Sequence, residues 1–192
     1  MTKDDIVHLI ENDSWMMDIL QAVKKLNLPD WWVGAGFVRS KVWDTLHEYT
    51  KRTPIPDIDV IYLEKTDFSE EEARMDTTKK EVEYERKLKK LMPEINWSVT
   101  NQARMHLFHN DMPYESAEQA LSQWVETATC IGVRLNNYGK VVLSSPRGIN
   151  DLVGLILRPI PELSKDLSVF QERITQKKWL EKWPKLKVVI SE

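Results

Sequence analysis

The chain has little cysteine and no long apolar run. Its 192 residues include a single cysteine, Cys130, which cannot form a disulfide within the chain. No apolar stretch approaches the roughly 20 residues that a membrane-spanning helix needs. The opening sequence, MTKDDIVHLI, carries acidic side chains where a secretory signal needs a basic stretch followed by an apolar one. We therefore expect a cytoplasmic protein with no membrane partner.

Neither sign of charge is in clear excess. The 27 Lys and Arg side chains stand against 30 Asp and Glu, a net charge of -3, so the overall charge does not indicate a nucleic-acid partner. Lysines do concentrate in residues 177–187, which form either a local basic surface or a solvated helix end, the second being the more common arrangement. Most of the eight tryptophans are expected in the core, with Trp179 and Trp183 packing the C-terminal segment onto the body.

Hydrophobic periodicity predicts the first part of the fold. Apolar residues at helical spacing predict two helices within residues 3–26, with Ser14 as the N-cap of the second. An apolar run at residues 31–33 ends in Gly34-Ala35-Gly36 and helical spacing follows, which is typical of a buried strand that turns into a helix. Apolar and polar residues alternate in DIDVIYL, residues 57–63, which predicts another strand.

Shorter elements are predicted in the rest of the chain. Ser69 and Glu72 have the spacing of a capping box at the start of a charged helix, and Asn136-Asn137-Tyr138-Gly139 has the residue types of a tight hairpin turn. The predicted helices span residues 69–91, 101–108, 116–124, 150–157 and 164 or 165 to 179, and the predicted strands span residues 97–100, 131–135 and 140–143. This order indicates an α+β fold with a small mixed β-sheet and flanking helices.

Asp57 and Asp59 are the first candidates for chemistry. Because one residue separates them in a strand, both carboxylates leave the same face, with β-carbons roughly 6 to 7 Å apart. Two carboxylates this close repel each other unless a cation neutralises them. Mg²⁺ suits the pair best, since it takes one or two protein carboxylates and completes its shell with water and substrate phosphates. The alternative is a pair of solvent-facing acids on an edge strand.

The turn at Gly34-Ala35-Gly36 is the second candidate. Glycine lets the backbone approach a phosphate closely, and the free N–H groups at a helix start attract anions. A tight turn also needs glycine for steric reasons alone, so phosphate binding and a purely structural turn both stay open. The turn is not a dinucleotide-binding fingerprint, because Arg39 stands where the third glycine of that motif belongs.

These motifs in this order resemble a known family. A glycine turn, a helix with Val-Arg and then Asp-x-Asp on the next strand is similar to the head domain of CCA-adding enzymes and bacterial poly(A) polymerases, whose pattern is roughly V-G-G-x-V-R-D followed by D-hydrophobic-D. Ala35 and Gly36 stand in place of that family's two glycines, Arg39 matches its arginine, and Ser40 replaces its aspartate. The blocks that also look like motifs of a bacterial nucleotidyltransferase-like family are VGAGFVRSKVWDTLH, DIDVIY, WSVTNQARMH, ETATCIGVR and KKWLEKWPKLKV.

The resemblance implies a polymerase-β-like nucleotidyltransferase domain over residues 1–192, with a core of about 14–110 and a C-terminal α+β extension of about 111–192. It implies that Asp57 and Asp59 are catalytic and hold Mg²⁺, or Mn²⁺ in its place. The implied partner is a nucleoside triphosphate, whose nucleoside monophosphate passes to an unknown acceptor with release of pyrophosphate.

Ser98 is a departure from the superfamily pattern, because it is expected where the superfamily has a third carboxylate. A serine cannot replace a charged ligand or a base. Glu94, or a water held by Ser98, is a compensation that stays open. The alternative function is therefore a metal-nucleotide-binding module with weak or no catalysis, acting as a sensor or partner protein.

The predicted nucleotide-binding set combines the glycine turn with the residues after the third strand. Arg39 and Arg104 are candidates for pairing triphosphate oxygens, each with a structural ion pair as its alternative. The set is Gly34, Ala35, Gly36, Arg39, Ser40, Asn101, Gln102 and Arg104. A small molecule or a protein is expected as acceptor rather than long RNA, since 192 residues leave no room for additional RNA-binding domains and the chain lacks a strong basic surface.

Overall fold

A mixed β-sheet organises the part of the chain that the structure describes. The computed structural model describes residues 1–109, 111–163 and 166–190, with only the backbone of His109. The strands are β1 (Trp32–Gly34), β2 (Ile58–Tyr62), β3 (Trp97–Asn101), β4 (Gly132–Leu135), β5 (Val141–Ser144), β6 (Ile156–Leu157) and β7 (Lys187–Val188). In these residues the main sheet has the order β3-β2-β1-β4-β5, with β2 and β3 parallel and the other neighbours antiparallel, and a separate parallel pair joins β6 to β7.

Helices flank this sheet on both faces. The helices are α1 (Lys3–Glu11), α2 (Ser14–Lys24), α3 (Gly36–Leu46), α4 (Lys79–Leu91), α5 (His106–His109), α6 (Ala117–Leu121), α7 (Asn150–Val153), α8 (Ser168–Lys177) and α9 (Trp179–Lys182). Short 3-10 turns cover Glu72–Arg74, Gln102–Arg104, Thr127–Thr129 and Pro161–Leu163. No helix in the described ranges is long and apolar enough to cross a bilayer.

The alternation in β2 separates a large core from a small one. Ile58, Val60 and Tyr62 are buried in the large core, which also takes side chains from α1 to α4. Ile61 points the other way, into a small cluster that includes Leu121 of α6. Because side chains alternate along a strand, Asp57 and Asp59 leave on the same face as Ile61. The acids therefore lie on the thinly covered face of the sheet.

Most elements agree with the sequence predictions. The α+β class with a mixed sheet and flanking helices is confirmed, as are the helix pair within residues 3–26, the glycine turn and the hairpin. Strands β4 and β5, from the predicted C-terminal extension, join the main sheet beside β1. The predicted boundary at residue 110 and the predicted start of the last helix at residue 164 or 165 lie outside the described residues.

Two helix starts differ from the predictions. Asp13, not Ser14, caps α2, because its Oδ1 accepts the N–H of Met16 at 3.2 Å. The helix predicted over residues 69–91 begins only after Thr78, whose hydroxyl and Glu81 form the capping box. Ser69 and Glu72 do bond each other but open only a 3-10 turn.

Three other predicted helices are shorter than expected. The helix predicted over residues 116–124 begins after its predicted cap, Ser116, but ends at Leu121. The helix predicted over residues 101–108 is a 3-10 turn followed by α5. The helix predicted over residues 150–157 ends at Val153, because Leu155 adopts a left-handed φ of 57° and its carbonyl accepts the N–H of Lys187 at 2.8 Å. The chain then continues as β6. The last helix divides into α8 and α9 at Lys178, which has a φ of 52°.

A buried ion pair closes the β3 edge of the sheet. Glu81 and Arg104 are 1% and 0% exposed and meet at 2.7 Å. Arg104 also donates to the carbonyls of Met75 and Asp76. In the helix predicted over residues 69–91, these carbonyls would instead have accepted backbone N–H groups. Glu81 further accepts the N–H of Asn101, which belongs to the edge strand β3. The pair thus joins α4, β3 and the preceding loop.

Replacing Arg104 is expected to destabilise the protein strongly. Arg104→Met keeps most of the side-chain volume but leaves Glu81 buried without its cation, so we expect the free energy of unfolding to fall by about 3–5 kcal/mol. Urea denaturation followed by circular dichroism measures this. The control Lys87→Met removes the exposed pair with Glu83, whose atoms are 2.8 Å apart, and should change stability by at most about 0.5 kcal/mol. Equal losses in the two variants would contradict the structural role of Arg104.

Candidate functional site

A cleft of about 340 Å³ opens beside the glycine turn. Four segments form its walls: the turn with the start of α3, the loop that leads into β2, residues 123–125, and the α8–α9 segment. The lining residues are Ala35, Gly36, Arg39, Ser40, Pro54, Ile55, Pro56, Asp57, Asp59, Gln123, Trp124, Val125, Arg173, Lys177, Trp179, Lys182 and Trp183. Both acids and half of the predicted nucleotide-binding set therefore share one cavity.

The two acids form the negative part of the cleft. The pKa of Asp59 is raised from 3.8 to about 6, first by burial and then by the nearby charge of Asp57, while the cation of Arg39 opposes the rise. In the parallel pairing of β2 and β3, Ser98 is the register partner of Asp59, so its side chain leaves the same face of the sheet. Glu94 is exposed and does not line the cleft. Within the described ranges, no third His, Cys, Asp or Glu joins the two acids in a metal-binding cluster.

The glycine turn places a helix start at the cleft. Ala35 has φ 45° and ψ -113°, a backbone that glycine adopts more readily, and no side chain caps α3. The first N–H groups of a helix have no partner within the helix, so those of α3 remain available to an anion. Gly34 has another role, because a β-carbon there would lie 2.9 Å from Cη2 of Trp124. Gly34 therefore permits close packing and does not line the cleft.

Arg39 is the least satisfied side chain of the site. It is 7% exposed, its Nε has no hydrogen-bond partner, and among the described residues none accepts a bond from its guanidinium. The guanidinium lies over the ring of Trp179, 4.5 Å from the centroid, and its Nη2 lies 3.8 Å from where a β-carbon of Gly36 would be. Burial lowers its pKa to about 10. A buried cation beside an uncapped helix start is suited to an anion.

Three further cations, which the sequence prediction did not include, line the cleft from the C-terminal segment. Arg173 and Lys177 lie one turn apart on α8, and Lys182 lies on α9. The only signals in the sequence were the lysines of residues 177–187 and the i, i+4 spacing of Arg173 and Lys177. Neither signal indicates which face of α8 meets the sheet, because that depends on packing.

Besides Gly34, three predicted nucleotide-binding residues lie outside the cleft. Asn101 is 1% exposed and braces a loop, since its amide donates to the Glu64 carbonyl and its Oδ1 accepts the N–H of Ala103. Gln102 is 5% exposed and reaches only the carbonyl of Thr100 at 3.5 Å. Arg104 is fully occupied by Glu81 and two carbonyls. For Arg104 the structure gives the alternative stated above, a structural ion pair.

The chain is similar to known nucleotidyltransferases. The model of a family described as nucleotidyltransferase matches residues 21–188. A solution structure described as revealing a CCA-adding enzyme head domain is 31% identical to this chain, covers 99% of it and 97% of its own length, and superposes with a TM-score of 0.81. A search of curated proteins gives no match.

Two longer enzymes share the fold at low identity. A CCA-adding enzyme in complex with CTP has 13% identity and a TM-score of 0.58 over 98% of this chain. The Thermotoga maritima CCA-adding enzyme, complexed with tRNA, has 13% identity and a TM-score of 0.54 over 98% of this chain. The chain spans 43% and 42% of the lengths of these two enzymes. Likeness at this level of identity establishes the fold alone.

Asp59→Asn is expected to stabilise the ion-free protein at neutral pH. The pKa of Asp59 in the folded protein, about 6, lies above its ordinary value of 3.8. The stability that the neutral carboxyl contributes is therefore complete below pH 3.8 and is lost as the pH rises through about 6. Asparagine has no such loss, so the stability of the variant relative to wild type should grow by about 1–3 kcal/mol between about pH 4 and about pH 7. Urea denaturation in EDTA across this range measures it.

The control is Asp5→Asn, which should behave in the opposite sense. The backbone N–H of Thr2 lowers the pKa of Asp5, so that carboxylate stabilises the fold above its ordinary pKa and its removal should weaken the fold at neutral pH. If the stability relative to wild type rises with pH in both variants, or in neither, then burial in the cleft does not raise the pKa of Asp59.

Proposed function

The chain belongs to the nucleotidyltransferase family, as its sequence blocks predicted, and from this premise we propose that it moves a nucleoside monophosphate from a nucleoside triphosphate to an acceptor and releases pyrophosphate. The observation that carries the proposal is the charge arrangement of the cleft. Two acids stand on its sheet side, while Arg39 lies buried at the glycine turn with no hydrogen-bond acceptor among the described residues. A metal-bound polyphosphate needs both kinds of group at once.

Mg²⁺, or Mn²⁺ in its place, is the cofactor that Asp57 and Asp59 fit. The raised pKa of Asp59 supports this assignment, since a bound cation supplies the compensation that the ion-free site lacks. Two carboxylates suit an ion that completes its shell with water and phosphate oxygens, and no third acidic ligand joins them in the part of the chain that the structure describes. When bound, the ion supplies neutralisation of phosphate charge and a lowered pKa for the attacking hydroxyl.

The turn and the start of α3 are proposed to hold the phosphates. The uncapped N–H groups that follow Ala35 donate hydrogen bonds to phosphate oxygens, with Gly36 and Ser40 lining the same wall. Arg39 donates a two-pronged contact from a fixed position, because the rings of Trp43 and Trp179 hold its guanidinium. Asn101, Gln102 and Arg104 have no part in this proposal, since they lie outside the cleft.

The reaction follows from this placement. An acceptor oxygen attacks the α-phosphorus in line with the bond to the bridging oxygen of the β-phosphate. That bond breaks, pyrophosphate carries away its electrons, and the proton of the acceptor passes to water. The protein contributes positioning and charge stabilisation, which are the dominant contributions in phosphoryl transfer.

Ser98 supports a second candidate function, a metal-nucleotide-binding module that acts as a sensor or partner protein. Its register opposite Asp59 is where a third carboxylate would assist the ion, and a hydroxyl carries no charge. For either function we propose a small molecule or a protein as partner at the acceptor side, because a net charge of -3 gives little electrostatic attraction to a long RNA.

Removal of both acids is expected to abolish metal-dependent nucleotide binding. Calorimetric titration with ATP, CTP, GTP and UTP in the presence of Mg²⁺ should show binding by the wild type. In Asp57→Asn plus Asp59→Asn the affinity should fall by about 10-fold or more, because the ion loses both protein ligands. The control with the same change in charge is Asp4→Asn plus Asp18→Asn, two exposed acids away from the cleft. Undiminished binding in the first double variant would overturn the site.

Introducing a carboxylate at residue 98 distinguishes the nucleotidyltransferase from the binding module. Ser98→Asp places an acid in register with Asp59, so we expect Mg²⁺ binding to tighten by about 10-fold. If the chain is an enzyme limited by this position, pyrophosphate release across a panel of acceptors should rise in parallel. The control Thr100→Asp adds the same charge on the same face, in register with Ile61. Tighter ion binding with no pyrophosphate from either protein favours the binding module.

A further inference from the structure

We propose that the α8–α9 segment is a polyphosphate-binding wall that selects triphosphates over monophosphates; this inference rests on the proposed function and adds residues and a selectivity to it. The wall consists of Arg173, Lys177 and Lys182, which line the cleft from α8 and α9. None of the three belongs to the motifs of the glycine turn or of β2. The chemical group that fits the wall is the β- and γ-phosphate tail of a nucleotide.

Arg173 is the fixed member of the wall. Its Nε donates to Oε1 of Glu126 at 2.7 Å, and Glu126 is fully buried and also accepts the hydroxyl of Thr129. The side chain of Arg173 nevertheless remains 34% exposed and lines the cleft. Because one edge of the guanidinium is tied to a buried carboxylate, its orientation is set before a ligand arrives.

Arg173 also shares an aromatic neighbour with Arg39. The guanidinium carbons of Arg173 and Arg39 lie 5.8 Å and 4.5 Å from the ring centroid of Trp179. Burial is the main cause of the lowered pKa of Arg39; the charge of Glu126 opposes this lowering, and the charge of Arg173 adds to it. Two like charges around one ring repel each other, and a bound polyanion relieves that repulsion.

Lys177 and Lys182 are the available members. Both side chains line the cleft, and in the described ranges no residue accepts a hydrogen bond from either ammonium group. The charge of Lys177 acts on Asp59 across the cleft. Two neighbouring lysines have partners outside the cleft. The Nζ of Lys178 lies 3.7 Å from Oε2 of Glu181, and the Nζ of Lys185 donates to the carbonyl of Leu46. Lys177 and Lys182 thus both line the cavity and keep their ammonium groups available to a ligand.

The segment that carries these lysines is anchored. Trp183 donates from Nε1 to Asp44 at 2.8 Å, and the hydroxyl of Tyr49 donates to the carbonyl of Lys182 at 3.0 Å. The lysines therefore stand on a support that is tied to the main body. With Arg39, the cleft has four cations against two acids; with a bound divalent ion this suits the about four negative charges of a triphosphate.

The test is the ratio of triphosphate affinity to monophosphate affinity. Calorimetry with ATP, CTP, GTP and UTP, with the matching monophosphates and with inorganic tripolyphosphate, all with Mg²⁺, compares wild type with Lys177→Gln plus Lys182→Gln. We expect triphosphate and tripolyphosphate affinities to fall by about 10- to 50-fold and monophosphate affinity by less than about 2-fold, because each lysine contacts only the tail. Lys177→Arg should keep most of the affinity.

The control is Lys178→Gln plus Lys185→Gln, which removes the same charge from two lysines outside the cleft, one between α8 and α9 and one just after α9. An equal loss in the control, or an unchanged affinity ratio in the test variant, overturns the wall. A loss of affinity for a short single-stranded RNA without a loss for triphosphate also overturns it and indicates a nucleic-acid surface. All four lysines are exposed, so a preserved thermal unfolding curve is expected in each variant.

Failure of the wall and failure of the proposed function give different results. If triphosphate binding survives Asp57→Asn plus Asp59→Asn, the metal-nucleotide site is wrong. The wall is then supported if the two cleft lysines alone are needed for tripolyphosphate binding, and overturned if they are not. If binding requires the acids but not the lysines, the proposed function stands and the wall is wrong.

Discussion

Arg39 and Asp59 hold opposite charges in one cleft, and no ion pair joins them within the described residues. Burial weakens the charged form of each, lowering the pKa of Arg39 to about 10 and raising that of Asp59 to about 6. A direct pair would cancel this penalty, but a ligand would then have to break the pair. Because the two side chains do not pair, Asp59 remains available to a cation and Arg39 to a polyanion. The cost is a lower free energy of unfolding.

The cluster around α3 keeps these charges in place. Asp44, which is 6% exposed, accepts the N–H and the hydroxyl of Thr53 at 2.8 Å and 2.6 Å and the indole N–H of Trp183. The ring of Trp43 meets Trp179 and Trp183 edge-on, with centroids 6.2 Å and 5.1 Å apart. The loop that leads to the acids and the segment that carries the cations are therefore both fixed to one helix. Movement of either wall would disturb buried contacts on α3.

Local rules explain what the sequence could predict, and packing explains what it could not. The alternation of β2 and the glycine turn are properties of neighbouring residues, so pattern alone predicted that the two acids share a face and that Arg39 follows the turn. In the sequence, Arg104 after a strand is as good a candidate for phosphate binding as Arg39 after the turn. In the structure Arg104 is paired with Glu81, which lies 23 residues earlier in the chain. Lys177 lies in the cleft because Trp183 reaches Asp44 across 139 residues, a contact that no periodicity encodes.

The same sheet edge shows why binding and transfer can be separated in this fold. Glu85 and Glu81 of α4 accept the N–H groups of Val99 and Asn101, so the acids nearest to β3 are used to close its edge. On the other side, Ser98 stands in register with Asp59 without adding charge. A third carboxylate there would add to the repulsion that raises the pKa of Asp59 in the ion-free state. It would also hold an ion more tightly. Ser98 avoids the first effect and gives up the second, so under the proposed function we expect the site to bind metal and nucleotide while its capacity for transfer depends on the ligand and the acceptor.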